Sequence, residues 1–336
     1  MGGRVFITGG SGFLGNAILR RLVKEGRPVV ALARSASTIR TLRELGAQVI
    51  EGDVLDPGGL VEGMQSCEVV YHVAGVNELC LPDPSPMFAV NVEESRNVVE
   101  AAAEAPVRRM VYTSSAATLG EVKGTVGDEE SPHRGSFLSE YERSKYEAER
   151  AIREAAERLG VDVVYVLPSS VQGPGRIGGT ARLLLDFVNG KLKAAVDTRL
   201  SLISIADCTE GHVLAEAKGR PGERYVLNGA TLTVGEAVTI LSEVTGLTDR
   251  PRFLPPFVAM GGATVVERLA RLRGRRPPFC REMVRTLLHG HAYDGSKASR
   301  ELGLRYTPIR ELLRTAVDWY VKQGMITRPL PALNSA

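Results

Sequence analysis

The sequence predicts an α/β protein built on a doubly wound parallel sheet, followed by a smaller and mostly helical C-terminal domain. Three observations predict this fold. Short apolar runs rich in β-branched residues alternate with longer amphipathic runs, a glycine-rich turn follows the first apolar run, and the alternation changes after Pro168. Strands that alternate with helices pair in parallel through right-handed crossovers, so helices cover both faces of the sheet.

Six strands are predicted in the first half of the chain. Each is a near-continuous apolar run, as expected for strands buried on both faces of a parallel sheet. In order they are RVFIT, PVVALA, AQVIEG, EVVYHVA, RRMVYTSS and VDVVYVLP. Helices are predicted between them, because apolar residues recur at helical spacing and several segments end in glycine. These segments are GNAILRRLVKEG, STIRTLRELG, GGLVEGMQS, NVEESRNVVEAAAEA and SEYERSKYEAERAIREAAERLG.

The second half of the chain is predicted to contribute to two domains. The loop QGPGRIGG and the helix TARLLLDFVNGK come first, and RLSLISIADCTEGHVLAEAKG is a strand that runs into a helix. We expect this last unit, within residues 198–228, to return to the main domain formed by residues 1–170. Residues 171–197 and 229–330 are expected to form the smaller, substrate-side domain, because 336 residues exceed what one core usually holds.

Composition excludes several classes of protein. Forty-two basic and 39 acidic side chains leave a net charge of +3, too balanced for a nucleic-acid partner. The four cysteines, Cys67, Cys80, Cys208 and Cys280, are far apart and include no CxxC pair. Neither a disulfide framework nor a metal site is indicated, and we expect free or buried thiols in a reducing cytosol.

The termini and apolar runs predict a cytoplasmic protein without a membrane span. The chain passes from MGGRVFITGG directly into a strand, with no secretory signal pattern. The apolar stretch FLPPFVAMGGATVV is shorter than the roughly 18–20 residues that a spanning helix needs. VAMGGATVVERLARLRGRR is basic and amphipathic, and two interpretations of it are open. We favour an apolar face that covers the substrate cleft over one that rests on a membrane surface.

A glycine-rich turn follows the first strand in VFITGGSGFLG. Gly9, Gly12 and Gly15 allow a tight turn, a close approach of backbone amides to a pyrophosphate, and close packing of the first helix. This context favours dinucleotide binding over an ordinary turn, so residues 1–170 are predicted to be a dinucleotide-binding Rossmann domain. The remaining positions of the turn are expected to contact the cofactor through Ser11, Phe13 and Leu14.

The end of the second strand indicates which cofactor is bound. NAD-binding proteins usually place an acid there for the ribose 2′-OH, whereas ALARSAS has Arg34, with Ser35 and Arg40 nearby. A guanidinium suits a 2′-phosphate, so NADP(H) is favoured and NAD(H) stays possible. The alternative is a solvated arginine. Asp53, in EGDV, is a candidate acceptor for the adenine amino group, with Val54 beside it, although it also suits a helix cap.

Tyr141 and Lys145 in YERSK are candidates for proton transfer. They are four residues apart and share a helix face, but this pattern often arises by chance. A phenol titrates near about 10, so it needs a shift of about 3 units to act at neutral pH. The fifth strand ends in VYTSSAATLG and brings Ser114 and Ser115 to the sheet edge where ligands bind. We expect Ser115 to donate to a substrate oxygen and Ser114 to be structural.

These motifs occur in an order that resembles the extended short-chain dehydrogenase/reductase superfamily, of the NAD(P)-dependent epimerase/dehydratase type. The resemblance covers nearly the whole chain: TGGSGFLG, GDVLDP, YHVAGV, VNVEESRNVVEAA, VYTSSAATLG, YERSK, LPSSVQGP and SKASRELGLRYTPIRELLRTAVDWYVKQG. Within the superfamily the chain is most similar to the dihydroflavonol-reductase-like branch, which includes 3β-hydroxysteroid-dehydrogenase-like enzymes.

The resemblance implies roles for individual residues. Ser115 is expected to polarise the substrate oxygen, Tyr141 to be the acid/base, and Lys145 to bind the nicotinamide ribose and lower the tyrosine pKa. Further cofactor contacts are implied at Ala74, Gly75, Asn91, Thr113, Pro168, Ser170 and Val171. His72 lies inside a strand and is expected to be a packed core histidine. The resemblance also implies a homodimer through NVEESRNVVEAAAEA and YERSKYEAERAI.

The substrate side favours a reductase over a sugar epimerase. Nucleotide-sugar epimerases of this superfamily usually carry an Arg-Asp pair before the strand that ends at an Asp, whereas RLSLISIADC has Leu200 and Ser201 there. They also usually have an asparagine after the sixth strand, where VLPSSVQGP has Ser169 and Ser170. A buried diphosphate needs charged partners, although Arg199 is close enough to substitute.

We therefore predict an NADP(H)-dependent enzyme that reduces a carbonyl, or oxidises a secondary alcohol, of a small to medium and fairly apolar substrate. An NAD-dependent nucleotide-sugar epimerase or dehydratase is the alternative. A cofactor-binding regulator without catalysis is less favoured, because the chain keeps both Tyr141 and Lys145.

Overall fold

The computed structural model describes residues 3–333, and its strands and helices alternate through the first half of the chain. The strands are β1 (Val5–Thr8), β2 (Val29–Ala33), β3 (Gln48–Glu51), β4 (Val69–His72), β5 (Arg109–Thr113), β6 (Val163–Pro168), β7 (Ser170–Gln172), β8 (Ala194–Ala195), β9 (Arg199–Ser204), β10 (Arg224–Leu227), β11 (Ala230–Thr233) and β12 (Arg252–Phe253).

The α-helices are α1 (Phe13–Lys24), α2 (Ala36–Glu44), α3 (Pro57–Met64), α4 (Ser85–Phe88), α5 (Glu94–Glu104), α6 (Glu140–Leu159), α7 (Thr180–Val188), α8 (Ile205–Lys218), α9 (Val234–Thr245), α10 (Pro256–Leu272), α11 (Arg281–His289) and α12 (Ile309–Lys322). Short π-helical turns occupy Ala89–Glu93 and Ala298–Leu302, and a 3-10 turn occupies Ala116–Leu119.

A seven-stranded sheet with the order β10-β6-β5-β4-β1-β2-β3 forms the centre of the fold, and all its strands are parallel. The predicted fold class is confirmed, and the six predicted strands correspond to β1–β6. Side chains alternate between the two faces of each strand. Ile7 accordingly packs with Ile18 of α1 on one face, whereas Phe6 packs with Met64 of α3 and Val98 of α5 on the other.

The segment 198–228 divides between the two sheets. Its helix α8 packs against α1 and its strand β10 pairs with β6 at the edge of the large sheet. Its strand β9 lies instead between β7 and β11 in a separate three-stranded sheet. The assignment of residues 198–228 to the main domain stays a prediction, although β9 pairs in the three-stranded sheet and not in the large one.

A third apolar cluster joins α7, α9 and α12 to β9 and β11. Leu184, Phe187, Leu241 and Leu313 are buried in it. Helices α10 and α11 pack against each other. No helix among residues 3–333 combines the length and the apolar character needed to cross a bilayer.

The expectation of four free thiols is wrong for two of the cysteines. Cys80 and Cys280 form a disulfide across a sequence separation of 200 residues, whereas Cys67 and Cys208 are free and buried. Cys80 lies in the loop after β4 and Cys280 immediately precedes α11. The fold brings these two segments together, and nothing in the local sequence around either cysteine indicates the other.

Candidate active site

The glycine turn between β1 and α1 is closed by its own backbone. The Gly12 amide donates to the Gly9 carbonyl over 2.9 Å, and Gly9 has φ +69°. A Cβ at Gly15 would lie 2.1 Å from the Gly9 oxygen, and one at Gly9 would lie 2.6 Å from the Ala74 amide nitrogen. Glycine is therefore required at both positions by close backbone contact, which keeps the loops after β1 and β4 together.

The N-terminus of α1 is open for an anion. Gly12 is the N-cap and provides no side-chain hydrogen bond, so the first amides of the helix, including those of Phe13 and Leu14, have no side-chain cap. Ser11 is exposed at the same turn. A helix N-terminus with free amides favours a phosphate group through its dipole and its N–H donors. The residues present here fit the pyrophosphate of a dinucleotide.

Arg34 and Asp53 face each other at the ends of β2 and β3. The Arg34 guanidinium donates to the Asp53 carboxylate over 3.1 Å, and the Arg34 side chain is 69% exposed. The Leu55 amide also donates to Asp53, and this bond, with the nearby Arg34, lowers the pKa of the Asp53 carboxyl. Ser35 caps α2 and Arg40 is exposed. The cap of α3 is Asp56, so Asp53 does not serve as that helix cap. Val54 is partly buried beside Asp53.

Asn91 connects the loop after β4 to the helix that carries Tyr141. Its side-chain oxygen accepts from the Val76 amide over 2.7 Å, and its amide group donates to the Val76 carbonyl and to the Ser144 hydroxyl. Asn91 is buried in the π-helical turn before α5. Ala74 and Gly75 lie in the same loop, and a Cβ at Gly75 would be 3.7 Å from the Lys145 Nζ.

Tyr141 lies in the first turn of α6, and the Ser115 side chain is close enough to act on the pKa of its phenol. The Ser139 hydroxyl caps α6 by accepting from the Glu142 amide over 3.1 Å, which fixes where the helix begins. Burial raises the pKa of the Tyr141 phenol, and the Ser115 side chain and the charge of Arg176 partly offset this rise. The predicted lowering of this pKa stays a prediction for the protein with cofactor bound.

Lys145 is buried one helical turn after Tyr141 and donates from Nζ to the Thr113 carbonyl over 2.8 Å. Its ammonium also lies 4.8 Å from the centre of the Tyr112 ring. Burial lowers the pKa of Lys145 to about 8, and the negative charge of Glu149 partly offsets the lowering. The Lys145 ammonium is thus held at the carboxyl end of β5, at Thr113, which directly precedes Ser114.

Three further candidates, Ser114, His72 and Thr113, bond to neighbouring side chains of the protein. Ser114 is buried and donates to Glu149 over 2.5 Å, and His72 is buried between Thr8 and Ser95. Burial lowers the pKa of His72 to about 3, so it is neutral, and the expectation of a packed core histidine is confirmed. Thr113 bonds through its hydroxyl to His212 of α8.

The segment after β6 forms the other side of this edge. Pro168 ends β6 opposite Leu227, Ser170 donates to Thr180, and Val171 pairs with Ile203 of β9. Arg176 follows in the loop, with its guanidinium 5.6 Å from the centre of the Phe13 ring. The sequence analysis missed Arg176, although a lone arginine in a glycine-rich loop gave no signal of its own.

Sequence reasoning also missed a cluster of Glu121, His289, His291 and Tyr293, in which all but the partly exposed His291 are buried. Glu121 accepts from His291 over 2.6 Å and lies 3.3 Å from His289, and both contacts lower its pKa to about 2. Tyr141 is among the groups that act electrostatically on Tyr293. The cluster lies beside β9, because the Ser201 hydroxyl donates to the His291 carbonyl. The spacing of Glu121, His289 and His291 also suits a metal ion, so the prediction of no metal stays a prediction.

Known proteins match this chain over most of its length. The model of the NAD dependent epimerase/dehydratase family matches residues 5–227. A protein of Synechocystis sp., provisionally named dihydroflavonol 4-reductase, is 34% identical over 96% of this chain and 95% of its own length. Sterol demethylase protein B of Methylococcus capsulatus is 33% identical over 95% of this chain and 99% of its own.

Two solved structures are also similar. The crystal structure of gox2253 has a TM-score of 0.83 and 32% identity, and the alignment covers 97% of this chain and 100% of that one. PA4631 of Pseudomonas aeruginosa, described as a nucleoside-diphosphate-sugar epimerase, has a TM-score of 0.77 and 25% identity, with coverage of 97% and 100%.

The parallel sheet, the open glycine turn and these relatives define an NAD(P)-dependent enzyme of the extended short-chain dehydrogenase/reductase type. The chain belongs to the NAD dependent epimerase/dehydratase family.

Proposed function

We propose that the protein is an NADP(H)-dependent reductase that interconverts a carbonyl and a secondary alcohol on a fairly apolar substrate. The observation that carries this proposal is the environment of β9. At the two positions where a sugar-nucleotide enzyme of this superfamily usually has Arg and Asp, Leu200 is buried and Ser201 bonds to Thr231 and to the His291 carbonyl. Neither residue is available to neutralise a diphosphate.

The buried charges nearby point in the same direction. Glu121 is 2% exposed and ionised at neutral pH, because His291 bonds to its carboxylate and His289 lies 3.3 Å from it, and together they lower its pKa. An ionised carboxylate near the substrate side disfavours a diphosphate group through like-charge repulsion in a medium of low dielectric constant. The name of the sterol demethylase relative also supports an apolar substrate.

The proposed chemistry assigns one task to each side chain. When bound, the nicotinamide supplies or accepts the hydride. Ser115 donates a hydrogen bond to the substrate oxygen, and Tyr141 gives its proton to that oxygen in reduction or takes it in oxidation. Lys145 orients the ribose from its position against the Thr113 carbonyl. Gly9, Gly12 and Gly15 hold the pyrophosphate, with Asn91 and Gly75 beside the ribose.

Three finer features belong to this proposal. Arg34 binds the 2′-phosphate of NADP(H). Its ion pair with Asp53 is exposed, and an exposed pair contributes roughly 0–1 kcal/mol, so the guanidinium can turn from Asp53 to the phosphate at little cost.

The protein is a homodimer through α5 and α6. It acts in the cytoplasm, in agreement with its sequence pattern, although the Cys80–Cys280 disulfide is unusual for a reducing compartment.

An NAD-dependent epimerase or dehydratase is the second candidate. It is favoured by the family description and by the epimerase from Pseudomonas aeruginosa, which is similar over nearly the whole chain. Arg199 is partly exposed and makes no side-chain hydrogen bond or ion pair within residues 3–333, so it is a cation free to meet a diphosphate.

The two candidates differ in whether cofactor is consumed. The test follows the absorbance of NADPH, and of NADH in parallel, with a panel of apolar ketones, aldehydes and nucleotide sugars. We expect an apolar carbonyl compound to oxidise NADPH stoichiometrically. Conversion of a nucleotide sugar without net consumption of cofactor would overturn the proposal in favour of the epimerase.

A further inference from the structure

Exposed apolar side chains concentrate around one helix. Of the thirteen large apolar residues that are exposed within residues 3–333, seven lie between positions 253 and 279. Phe257 is 76% exposed and Leu272 is 84% exposed. Scattered exposed apolar residues are ordinary on a protein surface, but a contiguous group usually marks a contact with another surface.

Four of these residues form a stripe along α10. Val258, Val265, Leu269 and Leu272 follow one another at intervals of seven, four and three residues, so they lie on one face of the helix. We call them the apolar stripe. The buried residues of α10, Ala263 and Glu267, lie on the opposite face, and α10 packs against α11. The sequence analysis predicted that the apolar face of this segment covers the substrate cleft. That prediction is wrong for the apolar stripe, which faces solvent.

The segment around the stripe is strongly basic. Residues 251–281 contain seven arginines and one acidic residue, a net charge of +6, in a chain whose total is +3. The single acid, Glu267, is already engaged by Arg271 and by the backbone and side chain of Arg281. Arg268, Arg273 and Arg275 form no ion pair with any residue between 3 and 333. The outer surface of α10 and the turn that follows it therefore present apolar groups together with unpaired cations.

We propose that α10 binds to the surface of an anionic phospholipid bilayer. The apolar stripe enters the boundary between headgroups and acyl chains, and the arginines beside it bind lipid phosphates. A helix with an apolar face and flanking basic residues is suited to lie in this plane, and each arginine near an anionic surface adds to the attraction. The helix rests on the bilayer and does not cross it.

A second copy of the chain is a poorer occupant of this surface. It would bring its own net charge of +6 against the first, whereas anionic headgroups complement that charge. The position of α10 also suits a substrate that comes from a membrane, because α10 is connected to the proposed active site through α11. Helix α10 packs on α11, and the Glu282 carboxylate of α11 accepts from the amide of Glu140, the residue before Tyr141.

Flotation with lipid vesicles tests the proposal. The full-length protein is mixed with vesicles of phosphatidylcholine alone, or of phosphatidylcholine and phosphatidylglycerol in equal parts. We expect binding to the anionic vesicles to be about tenfold tighter or more, and to weaken as salt is added, because several arginines meet the headgroups. No binding to the anionic vesicles, or equal binding to both, would overturn the proposal.

Two sets of variants locate the binding surface. L269E/L272E should lower anionic-vesicle binding by about tenfold or more, and R268Q/R273Q should lower it by about fivefold for each charge removed. Val321→Glu, which changes an equally exposed apolar residue on α12, is the matched control and should bind as the unchanged protein does. Thermal unfolding shows whether each variant is folded, and the arginine pair still tests the surface if L269E/L272E misfolds.

Light scattering after size exclusion tests the alternative that the apolar stripe binds a second copy of the chain instead of a membrane. If the stripe variants dissociate an oligomer while the unchanged protein ignores vesicles, the stripe covers a second copy and the membrane proposal is wrong. Vesicle binding does not depend on turnover, so its failure leaves the reductase proposal untouched, and failure of the reductase assay leaves membrane binding testable.

Discussion

At the scale of single residues, the phenol of Tyr141 is the group on which the proposed chemistry depends. Burial raises its pKa, and within the chain the Ser115 hydroxyl is the first group that counters this effect. The phenol is therefore protonated at neutral pH, which suits it to give a proton to a substrate oxygen.

Removal of that hydroxyl gives the most direct prediction. Tyr141→Phe should lower kcat by about 10²- to 10⁴-fold, the usual contribution of a positioned acid or base, with cofactor affinity retained. Steady-state kinetics and cofactor titration measure the two effects separately. Tyr146→Phe, on the same helix among the rings of His133 and Phe137, is the control and should keep normal activity. Near-normal kcat in Tyr141→Phe would rule out the assignment.

Arg34 carries the prediction on cofactor choice. Arg34→Ala should raise KM for NADPH by about 10- to 100-fold, because a hydrogen bond to a charged group is worth roughly 1.5–3 kcal/mol. KM for NADH should change little. Arg20→Ala, which changes an exposed arginine on α1 that bonds to Asn16, is the control. If wild-type protein uses NADH as well as NADPH, the role assigned to Arg34 is wrong.

Lys145 is expected to lower the free energy of unfolding of the protein, although it is needed for the proposed chemistry. Its pKa is about 8 in the fold against an ordinary 10.5, so the unfolded chain binds the proton more tightly and folding pays a penalty below pH 8. Lys145→Met should therefore raise the free energy of unfolding by about 1–3 kcal/mol at neutral pH, after loss of the Thr113 bond is allowed for. The gain should shrink as pH rises from 8 towards 10.5.

Denaturant unfolding at several pH values measures this effect, and activity should fall in the same variant. Lys123→Met, at an exposed lysine, is the control and should leave stability nearly unchanged. A destabilised Lys145→Met protein would mean that the bonds of the ammonium outweigh the cost of burying it.

Residues of the candidate site were predictable to different degrees. The glycines, Ser115, Tyr141 and Lys145 are recognised because spacing along the chain reflects shared position on one turn, strand end or helix face. Glu121 and His291 lie 170 positions apart, and their contact depends on how the loop after β5 meets the segment after α11. No local pattern contains that information.

At the scale of elements, the strands were predictable because burial on both faces gives continuous apolar runs. The strand β9 shows the limit of this reasoning, because its buried pattern is the same whether it joins the large sheet or pairs with β7 and β11. Pairing partners are decided by crossovers that the apolar pattern does not describe.

The disulfide joins the loop after β4 to the segment before α11, which are 200 residues apart in the sequence. Cys80→Ser/Cys280→Ser should lower the free energy of unfolding by about 2–4 kcal/mol, because the bond closes a long loop in the unfolded chain. A reductant should destabilise the unchanged protein to a similar extent and leave the double variant unaffected. Equal stability of the two proteins without reductant would mean that the bond does not form in solution.

At the scale of the whole molecule, the predicted homodimer is open to test. Ala103 is exposed on α5, and Ala103→Arg places a long cation where close packing of α5 against its copy is expected. Sedimentation velocity should give twice the chain mass for the unchanged protein and the single mass for this variant. Ala217→Arg, exposed on α8, is the control and should stay dimeric. A monomeric unchanged protein would refute the prediction.

The bonds of Asn91 have a consequence for how tightly a ligand is held. They fix the loop after β4 against α6 through Val76 and Ser144, and all three bonds are made by the chain itself. A pocket wall that is ordered before binding costs the ligand little conformational entropy. Asn91 is thus expected to contribute preorganisation: its loss would slow capture of the cofactor and raise its dissociation constant even if the side chain never touches it.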